Sequence, residues 1–453
     1  MVFIIKSTTN NIQLLQISNV RPIKSQNNVA KMKEKYSVLD MFSGGGGLTE
    51  GFFRQNFNII SHIELNKHAA NTLQTRSLFH QLSKNNKKNL YFEYFYGKIS
   101  REEFFEQCQN EGINDTNTIN KEISTITEKG IIQSIKERLN NSDIEGIDVI
   151  IGGPPCQAYS LIGRGRSPDS MQSDPRNHLY LHYLNFLSEF KPEIFVFENV
   201  PGLTSAKNGE IYSDFYKKIQ NLGYKLNPKP EILNAKNFGV LQERKRIICV
   251  GIKKEHDSSS IKFGNYVSKY SINDLFQDLP LLEPGMGIDG SQPYEAIMPS
   301  KYLKEAQIRN DEKSVRHHFA RPHNDRDREI YRIAIKKWTE YHQRLHYDQL
   351  PDHLKTHKNQ SSFLDRFKVV NGNGISHAIV AHLSKDGHYF IHPDISQARS
   401  ITVREAARIQ SFPDNFLFEG PMTAKFIQIG NAVPPLMAEG IAREIKKIIS
   451  GIY

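Results

Sequence analysis

A glycine-rich turn between a buried strand and a helix constrains the fold of this chain more than any other feature. The run KYSVLDMF is continuously apolar, as in a buried parallel strand, and SGGGG and the helically spaced LTEGFFRQN follow it. FNIISHIE predicts a second strand, and KHAANTLQTRSLF a second helix. Strand, glycine-rich turn, helix and strand open a doubly wound domain, so we predict an α/β fold with a Rossmann-like sheet.

The same alternation continues to about residue 252 and predicts one large, mostly parallel sheet. We expect a loose polar leader over 1–32, a main domain over 33–252, a smaller domain over 253–400 and a return segment over 401–453. In 253–400 the alternation stops and His, Tyr and charged residues become dense. We expect GISHAIVAHLSKDGHYFIHPD to form a hairpin there, with a Lys-Asp-Gly turn.

Composition excludes several classes of protein. The chain has 453 residues, of which 38% are hydrophobic and 24% charged, so it can bury a core and is not a disordered chain. It has no apolar run of about 18 residues or more, which argues against a membrane span. Three separate cysteines argue against a disulfide scaffold and favour a reducing, cytoplasmic setting. The net charge of +10 is a weak indication of a polyanionic partner.

The turn after Asp40 could hold a ligand at a helix N-terminus, although it could also be only a tight turn with positive φ. Its spacing is not that of a phosphate-binding P-loop. Glu64 follows twenty-four residues after Asp40, at the end of the next predicted strand. A carboxylate in that place can accept hydrogen bonds from a ribose diol. Together the two features predict a cofactor that contains a nucleoside.

Cys156 lies in a rigid turn, in Gly152-Gly-Pro-Pro-Cys-Gln157. The prolines would hold it at the carboxyl end of a parallel strand, where open α/β folds place their sites. We therefore interpret Cys156 as a nucleophilic thiolate. Cys249, inside the strand IICVG, fits an ordinary buried cysteine, and Cys108 shows no chemical partner.

Two further segments carry charged side chains at predicted strands. Glu198 ends the apolar strand IFVF and could be a proton donor, or only a turn acid. In Gln242-Glu-Arg-Lys-Arg246, strand alternation places Gln242, Arg244 and Arg246 on one face. Such a face suits a phosphate or carboxylate, but an ordinary charged edge strand has the same pattern.

These residues together resemble the DNA (cytosine-5)-methyltransferases of bacterial restriction–modification systems. The matching motifs occur in the family's order: F-x-G-x-G-G at 42–47, P-C-Q at 155–157, E-N-V at 198–200, Q-x-R-x-R at 242–246, R-E-x-A-R at 404–408 followed by Gln410, Phe412 and Pro413, and G-N-A-V-P-P at 430–435. The resemblance covers nearly the whole chain outside 1–32 and 253–400. It implies a Rossmann-like methyltransferase domain with a smaller target-recognition domain at 253–400.

The resemblance implies a catalytic role for five residues. Cys156 would add to C6 of a cytosine flipped out of the duplex, and Glu198, held protonated, would hydrogen-bond N3. C5 would then attack the methyl group of S-adenosylmethionine, and loss of the C5 proton and of Cys156 would release 5-methylcytosine. Arg244 would hold the flipped base or its phosphate, with Arg246 and Gln242 in support.

The resemblance also implies a site for S-adenosylmethionine. The residues expected there are Phe42, Ser43, Gly44, Gly45, Gly47, Glu64, Leu65, Pro154, Leu179, Asn431 and Val433. The family's Gly-Asp-Ile segment is missing between Leu78 and Gly146. Glu122 is the best substitute for its adenine-contacting acid, although an exposed helical glutamate is an equally good interpretation.

The segment 253–400 would read duplex DNA in the major groove. Asn371-Gly-Asn-Gly374 suits close approach to DNA, or is a plain surface turn. The histidines of this segment could simply be solvated; a zinc site at His317, His318 and His323 lacks nearby cysteines, so we predict no metal.

The leading hypothesis is a monomeric DNA cytosine-5 methyltransferase that uses S-adenosylmethionine and is functionally paired with a restriction endonuclease. One alternative is a tRNA methyltransferase of the same fold, but the Cys-Phe-Thr signature of those relatives is absent. Another is a non-catalytic DNA-binding protein, which the presence of Cys156, Glu198 and Arg244 disfavours. A nicotinamide oxidoreductase is weaker, because the G-x-G-x-x-G spacing is missing.

Overall fold

The computed structural model describes residues 35–115, 117–155, 179–226, 230–256, 261–296, 298–310, 312–356 and 364–453, without the side chains of 206–208. Eight described strands form the central sheet: β1 Ser37–Met41, β2 Asn58–Ile63, β3 Thr118–Ile119, β4 Val149–Gly152, β5 Ile194–Asn199, β6 Tyr224–Lys225, β7 Glu231–Asn234 and β9 Lys245–Lys253. A short strand, β8 Gln242–Glu243, precedes β9 outside this sheet.

The strand order is β3-β2-β1-β4-β5-β9-β6, with β7 also paired to β9. The pairs from β3 to β5 are parallel, whereas β9 runs antiparallel to β5, β6 and β7. The prediction of an α/β fold with a mostly parallel, Rossmann-like sheet is therefore confirmed. Parallel strands that all end at one edge bring the residues after β1, β2, β4 and β5 together there.

Helices cover both faces of this sheet, which explains why its strands are continuously apolar. The helices before β9 and after residue 400 are α1 Gly47–Arg54, α2 Lys67–Lys84, α3 Lys88–Phe95, α4 Arg101–Asn110, α5 Glu128–Asn140, α6 Leu179–Phe190, α7 Glu210–Asn221, α11 Val403–Ile409, α12 Met422–Asn431 and α13 Pro435–Ser450. Phe52 of α1 and Ile441 of α13 pack in one core cluster with Val38. Ile135 of α5 and Phe186 of α6 pack in another with Leu39.

The residues between β9 and α11 hold shorter elements. They are α8 Ile272–Phe276, α9 Lys301–Glu305, α10 Asp325–Tyr341, β10 Gly287–Ile288, β11 Gln292–Pro293, β12 Ser314–Val315, β13 His318–Phe319 and β14 Ser376–His377. The apolar spacing of IYRIAIKKWTEYHQRL, TVREAARIQSF and MAEGIAREIKKII predicts three helices, and α10, α11 and α13 confirm them. Thr402 caps α11, because its hydroxyl accepts the amide of Glu405 and the Glu405 carboxylate accepts the amide of Thr402.

The predicted hairpin after Gly374 is wrong. Ser376 and His377 pair in parallel with Gln242 and Glu243, which lie more than one hundred residues earlier in the chain. The backbone then enters a 3₁₀ turn, Ala381–Ser384. The amide of Ile379 donates to Gln242 Oε1 over 2.8 Å, so a distant side chain replaces the local strand partner that a hairpin needs.

Solvated surface is the wrong interpretation for several histidines of this region. His317 and His318 are 2% and 0% exposed. His317 bonds Asp289, His318 bonds Thr402, and His323 bonds Ser400, so each imidazole has its own partner. Burial lowers the pKa of all three rings, which keeps them neutral near pH 7.

The loop 371–374 packs against the start of α8. The carbonyl of Gly374 accepts the amide of Ile272, and that of Gly372 accepts the amide of Asn273, both over 2.9 Å. Asn373 is exposed. None of the helices in the described ranges is long and apolar enough to cross a bilayer.

Candidate active site

The glycine-rich turn after β1 needs glycine at several positions. Gly44 and Gly46 have φ values of 54° and 82°, in the region that favours glycine. A Cβ atom on Gly47 would lie 2.2 Å from the carbonyl oxygen of Val433. These glycines therefore form the tight turn that the sequence offered as an alternative. The turn also packs against the segment between α12 and α13.

Glu64 lies directly against this turn. Its Oε2 accepts the amide of Gly44 over 2.8 Å, and its Oε1 accepts the amide of Asn66 over 2.7 Å. Burial raises the pKa of Glu64, and these two hydrogen bonds oppose that shift. Leu65, the next residue, leaves 62% of its surface exposed. A carboxylate beside an open apolar side chain is a suitable arrangement for a ribose next to a base.

Asn120 was not anticipated from the sequence. Its Nδ2 donates to the carbonyls of Glu64 and Leu65 over 2.8 and 2.9 Å, which fixes the loop after β2. Glu122 lies two residues further, exposed and in a loop before α5, so it is not the helical glutamate of the alternative interpretation. Glu122 therefore lies near the carboxyl end of β3. It follows Asn120 by two residues, and the Asn120 side chain bonds the loop that contains Glu64.

The remaining predicted cofactor residues lie around the same edge. Phe42 is half-buried with a φ of 55°, and the Ser43 hydroxyl donates to the Asp40 carbonyl over 2.9 Å. Asn431 is the exposed last residue of α12, whereas Val433 is buried. Leu179 begins α6 and is half-buried.

The turn that leads to the predicted nucleophile packs on Glu198. A Cβ atom on Gly153 would lie 2.4 Å from Glu198 Oε2, and the carbonyl of Pro154 accepts Asn199 Nδ2 over 3.3 Å. Cys156 and Gln157 themselves lie outside the described residues. Cys249 is buried, with a pKa raised by burial to about 12, as expected of a cysteine inside a strand. Burial likewise raises the pKa of Cys108 to about 11.

Glu198 and Arg246 form an ion pair at the carboxyl end of β5. Arg246 Nε lies 2.8 Å from Glu198 Oε1, and the two side chains are 13% and 15% exposed. Burial raises the pKa of Glu198, while the charges of Arg246 and Arg244 lower it. Burial is the larger effect, so the net shift of the Glu198 pKa is upward. Glu198 therefore holds a proton more readily than an ordinary glutamate.

Strand alternation predicts that Gln242, Arg244 and Arg246 lie on one face. The exposure of the intervening residues Glu243 and Lys245 agrees with that prediction. The side chains nevertheless differ in what they contact. Arg244 is fully buried and donates to the carbonyls of Ile379 and Gly430. Gln242 Nε2 donates to Gln410 Oε1 over 2.9 Å. These contacts join β8 and Arg244 to the segment that follows β14, to the residue after α11 and to α12, and Arg246 is the arginine that pairs with Glu198.

The chain matches a family of known proteins over most of its length. The sequence profile described as C-5 cytosine-specific DNA methylase matches residues 102–447. The chain belongs to the C-5 cytosine-specific DNA methylase family. It is 42% identical over 447 residues to a type II methyltransferase of Bacillus paralicheniformis, covering 91% of this chain and 99% of that protein. Its activity class is that of a DNA cytosine methyltransferase.

Two further proteins are similar. One from Oceanobacillus iheyensis, a candidate type II methyltransferase, is 29% identical over 496 residues, covering 92% of this chain and 97% of that protein. A crystal structure of a candidate DNA modification methyltransferase from an E. coli prophage superposes with a TM-score of 0.61 at 22% identity, covering 92% and 99% of the two chains. That likeness shows that this methylase has the same fold.

Proposed function

We propose that this methylase transfers a methyl group from S-adenosylmethionine to C5 of a cytosine in a short, specific duplex sequence. The pairing of Arg246 with a half-buried Glu198 at the carboxyl end of β5 is the observation that supports this most. A cytosine can meet these groups only if it leaves the base stack, so the proposal includes base flipping.

Glu198 would supply the acid of the reaction. A carboxyl group with a raised pKa can donate a hydrogen bond to N3 of the cytosine and stabilise the adduct formed when the Cys156 thiolate adds to C6. Arg246 would then move from Glu198 to an acceptor oxygen of the base, since its guanidinium carries several donors. We therefore assign to Arg246 the role that the sequence suggested for Arg244, whose donors already bond two backbone carbonyls.

The described residues fit S-adenosylmethionine. Glu64 offers a carboxylate for the ribose hydroxyls, and Leu65 an open apolar surface for the adenine. Gly45 and Gly47 keep the backbone near Gln428 and Val433 free of side-chain bulk. The bound cofactor would supply an electrophilic methyl group. Ser43, Gly44, Pro154, Leu179, Asn431 and Glu122 belong to the proposed site by position.

Residues 253–400 would form the target-recognition domain, with 33–252 and 401–453 building the catalytic and cofactor-binding domain. We propose that the enzyme acts as a monomer in the bacterial cytoplasm, associates with the nucleoid through DNA, needs no metal, and protects host DNA from a cognate restriction endonuclease. The relationship to type II methyltransferases supports this role.

The nucleophile assignment is tested by Cys156→Ser with Cys249→Ser as the matched control. Cys156→Ser should abolish transfer from labelled S-adenosylmethionine to duplex DNA while DNA binding persists. Cys249→Ser should retain transfer, because its thiol is buried in β9 and its hydroxyl replacement can keep the hydrogen bond to Tyr212. Turnover by Cys156→Ser would overturn the assignment.

A further inference from the structure

Asn120 makes a bridge that the proposed reaction does not use. The residue comes directly after β3, and its Nδ2 donates to the carbonyls of Glu64 and Leu65 over 2.8 and 2.9 Å. A carboxamide nitrogen carries two hydrogens, so these two bonds use both of them. The acceptors also determine the orientation of the carboxamide, because only its nitrogen can donate to a carbonyl.

The two carbonyls belong to the peptide groups on either side of Leu65. Each peptide group is planar, so the backbone conformation of a residue depends on its two dihedral angles, φ and ψ. A side chain that holds both flanking peptide groups therefore fixes both angles of Leu65. Leu65 leaves 62% of its surface exposed, so its own packing contributes little to this order.

The same bridge restricts Glu64. Its amide donates to the carbonyl of Ile119 over 3.1 Å and its carbonyl accepts Asn120, so both of its peptide groups are bonded to the end of β3 and the residue after it. Its carboxylate accepts the amides of Gly44 and Asn66. The backbone therefore contributes to the direction of this carboxylate, together with the glycine-rich turn.

The bridge depends on the donors of Asn120 and not only on its shape. Aspartate has almost the same size, but its carboxylate is ionised near pH 7 and only accepts hydrogen bonds. Facing the carbonyl oxygens of Glu64 and Leu65, a carboxylate would lose both bonds and repel both acceptors. Alanine would lose the bonds without adding the repulsion.

We propose that Asn120 is a positioning residue for S-adenosylmethionine. It presets the backbone of Glu64 and Leu65, so that the carboxylate and the apolar side chain meet the ribose and the adenine without further ordering. This rests on the proposed function of that loop. Ordering the backbone of one residue during binding would lower the affinity by about 5- to 30-fold, and this is the loss expected when the bridge is removed.

The test measures binding of S-adenosylmethionine to the full chain by calorimetry, without DNA. Asn120→Asp should bind about 5- to 30-fold more weakly than the wild type. Asn120→Ala should show a loss in the same direction that is no larger, and it replaces Asn120→Asp in every comparison if that variant does not fold.

Asn117→Ala is the matched control. Its Nδ2 donates to the carbonyl of Ile59 over 3.0 Å, toward the start of β2 and away from the loop of Glu64. The control therefore also removes a bond from an asparagine beside β3 to a carbonyl, but it should bind the cofactor as the wild type does. A loss in Asn117→Ala equal to that in Asn120→Asp would show a general effect of β3 and overturn the positioning role.

A second measurement separates positioning from direct contact with the cofactor. In a Glu64→Ala background the carboxylate is absent, so Asn120→Asp should lower the affinity by a smaller factor than it does in the wild type. An equal loss in both backgrounds would overturn the positioning role. A wild type that binds no S-adenosylmethionine would refute the proposed cofactor site itself, whereas a wild type that binds it no more tightly than both Asn120 variants would refute only the role of Asn120.

Discussion

Arg246 Nε lies 2.8 Å from Glu198 Oε1, and the two residues come from antiparallel neighbours, β9 and β5. The pair sets the protonation of the acid that we propose for catalysis. Burial favours the protonated form of Glu198 and the charge of Arg246 favours the ionised form. Two variants separate these effects.

Glu198→Gln keeps a donor at the same position but cannot exchange a proton. We expect methyl transfer to fall by about 10²- to 10⁴-fold, with DNA binding retained. Single-turnover transfer and DNA affinity measured on the same preparation check this. Transfer at the wild-type rate would show that Glu198 is only a turn acid.

Arg246→Met removes the nearer charge that lowers the pKa of Glu198. The pKa should rise, so the acid form should persist to higher pH. The alkaline limb of the kcat/KM profile should therefore move upward relative to that of the wild type, in addition to any loss in rate. An alkaline limb that stays in place would contradict the assigned pair.

Arg244→Ala should act on stability first. The substitution leaves the carbonyls of Ile379 and Gly430 without a buried donor, which costs about 2–6 kcal/mol together. Urea unfolding measures this, and Lys245→Ala, at the exposed next residue, should change the free energy of unfolding by less than about 0.5 kcal/mol. A normally stable Arg244→Ala that fails only in methyl transfer would instead favour direct contact with the base.

Glu64→Ala should weaken binding of S-adenosylmethionine by about 10- to 100-fold, since it removes a charged hydrogen-bond acceptor. Burial raises the pKa of Glu64, so the wild-type affinity should begin to fall with decreasing pH above the range of an ordinary glutamate. Calorimetry at several pH values tests both effects. Glu137→Ala, exposed on α5, is the control, and equal affinities for the two variants would remove Glu64 from the site.

Gly47→Ala tests the contact between the glycine-rich turn and the segment that follows α12. A Cβ atom 2.2 Å from the Val433 carbonyl should destabilise the chain by about 1–3 kcal/mol and weaken cofactor binding. Gly130→Ala is the control, because nothing lies within 4 Å of its Cβ position in α5, and it should be neutral or stabilising. A Gly47→Ala protein as stable as Gly130→Ala would show that the contact is not tight.

The sequence predicted those features that depend on neighbours along the chain. Apolar runs and glycine placement identified β1, α1 and β2, and strand alternation identified the common face of Gln242, Arg244 and Arg246. It did not predict which arginine reaches Glu198, because the partners of Arg244 are the distant carbonyls of Ile379 and Gly430. Helix α3 likewise depends on a distant partner, since the Tyr91 hydroxyl donates to the carbonyl of Asn415, 324 residues away.

The most direct test of the account is methyl transfer from labelled S-adenosylmethionine to mixed-sequence duplex DNA and, separately, to tRNA, with the products mapped base by base. We predict label at C5 of cytosine within one short DNA motif and none on tRNA. Label on tRNA alone, or no transfer to either substrate by an enzyme that still binds the cofactor, would contradict the account.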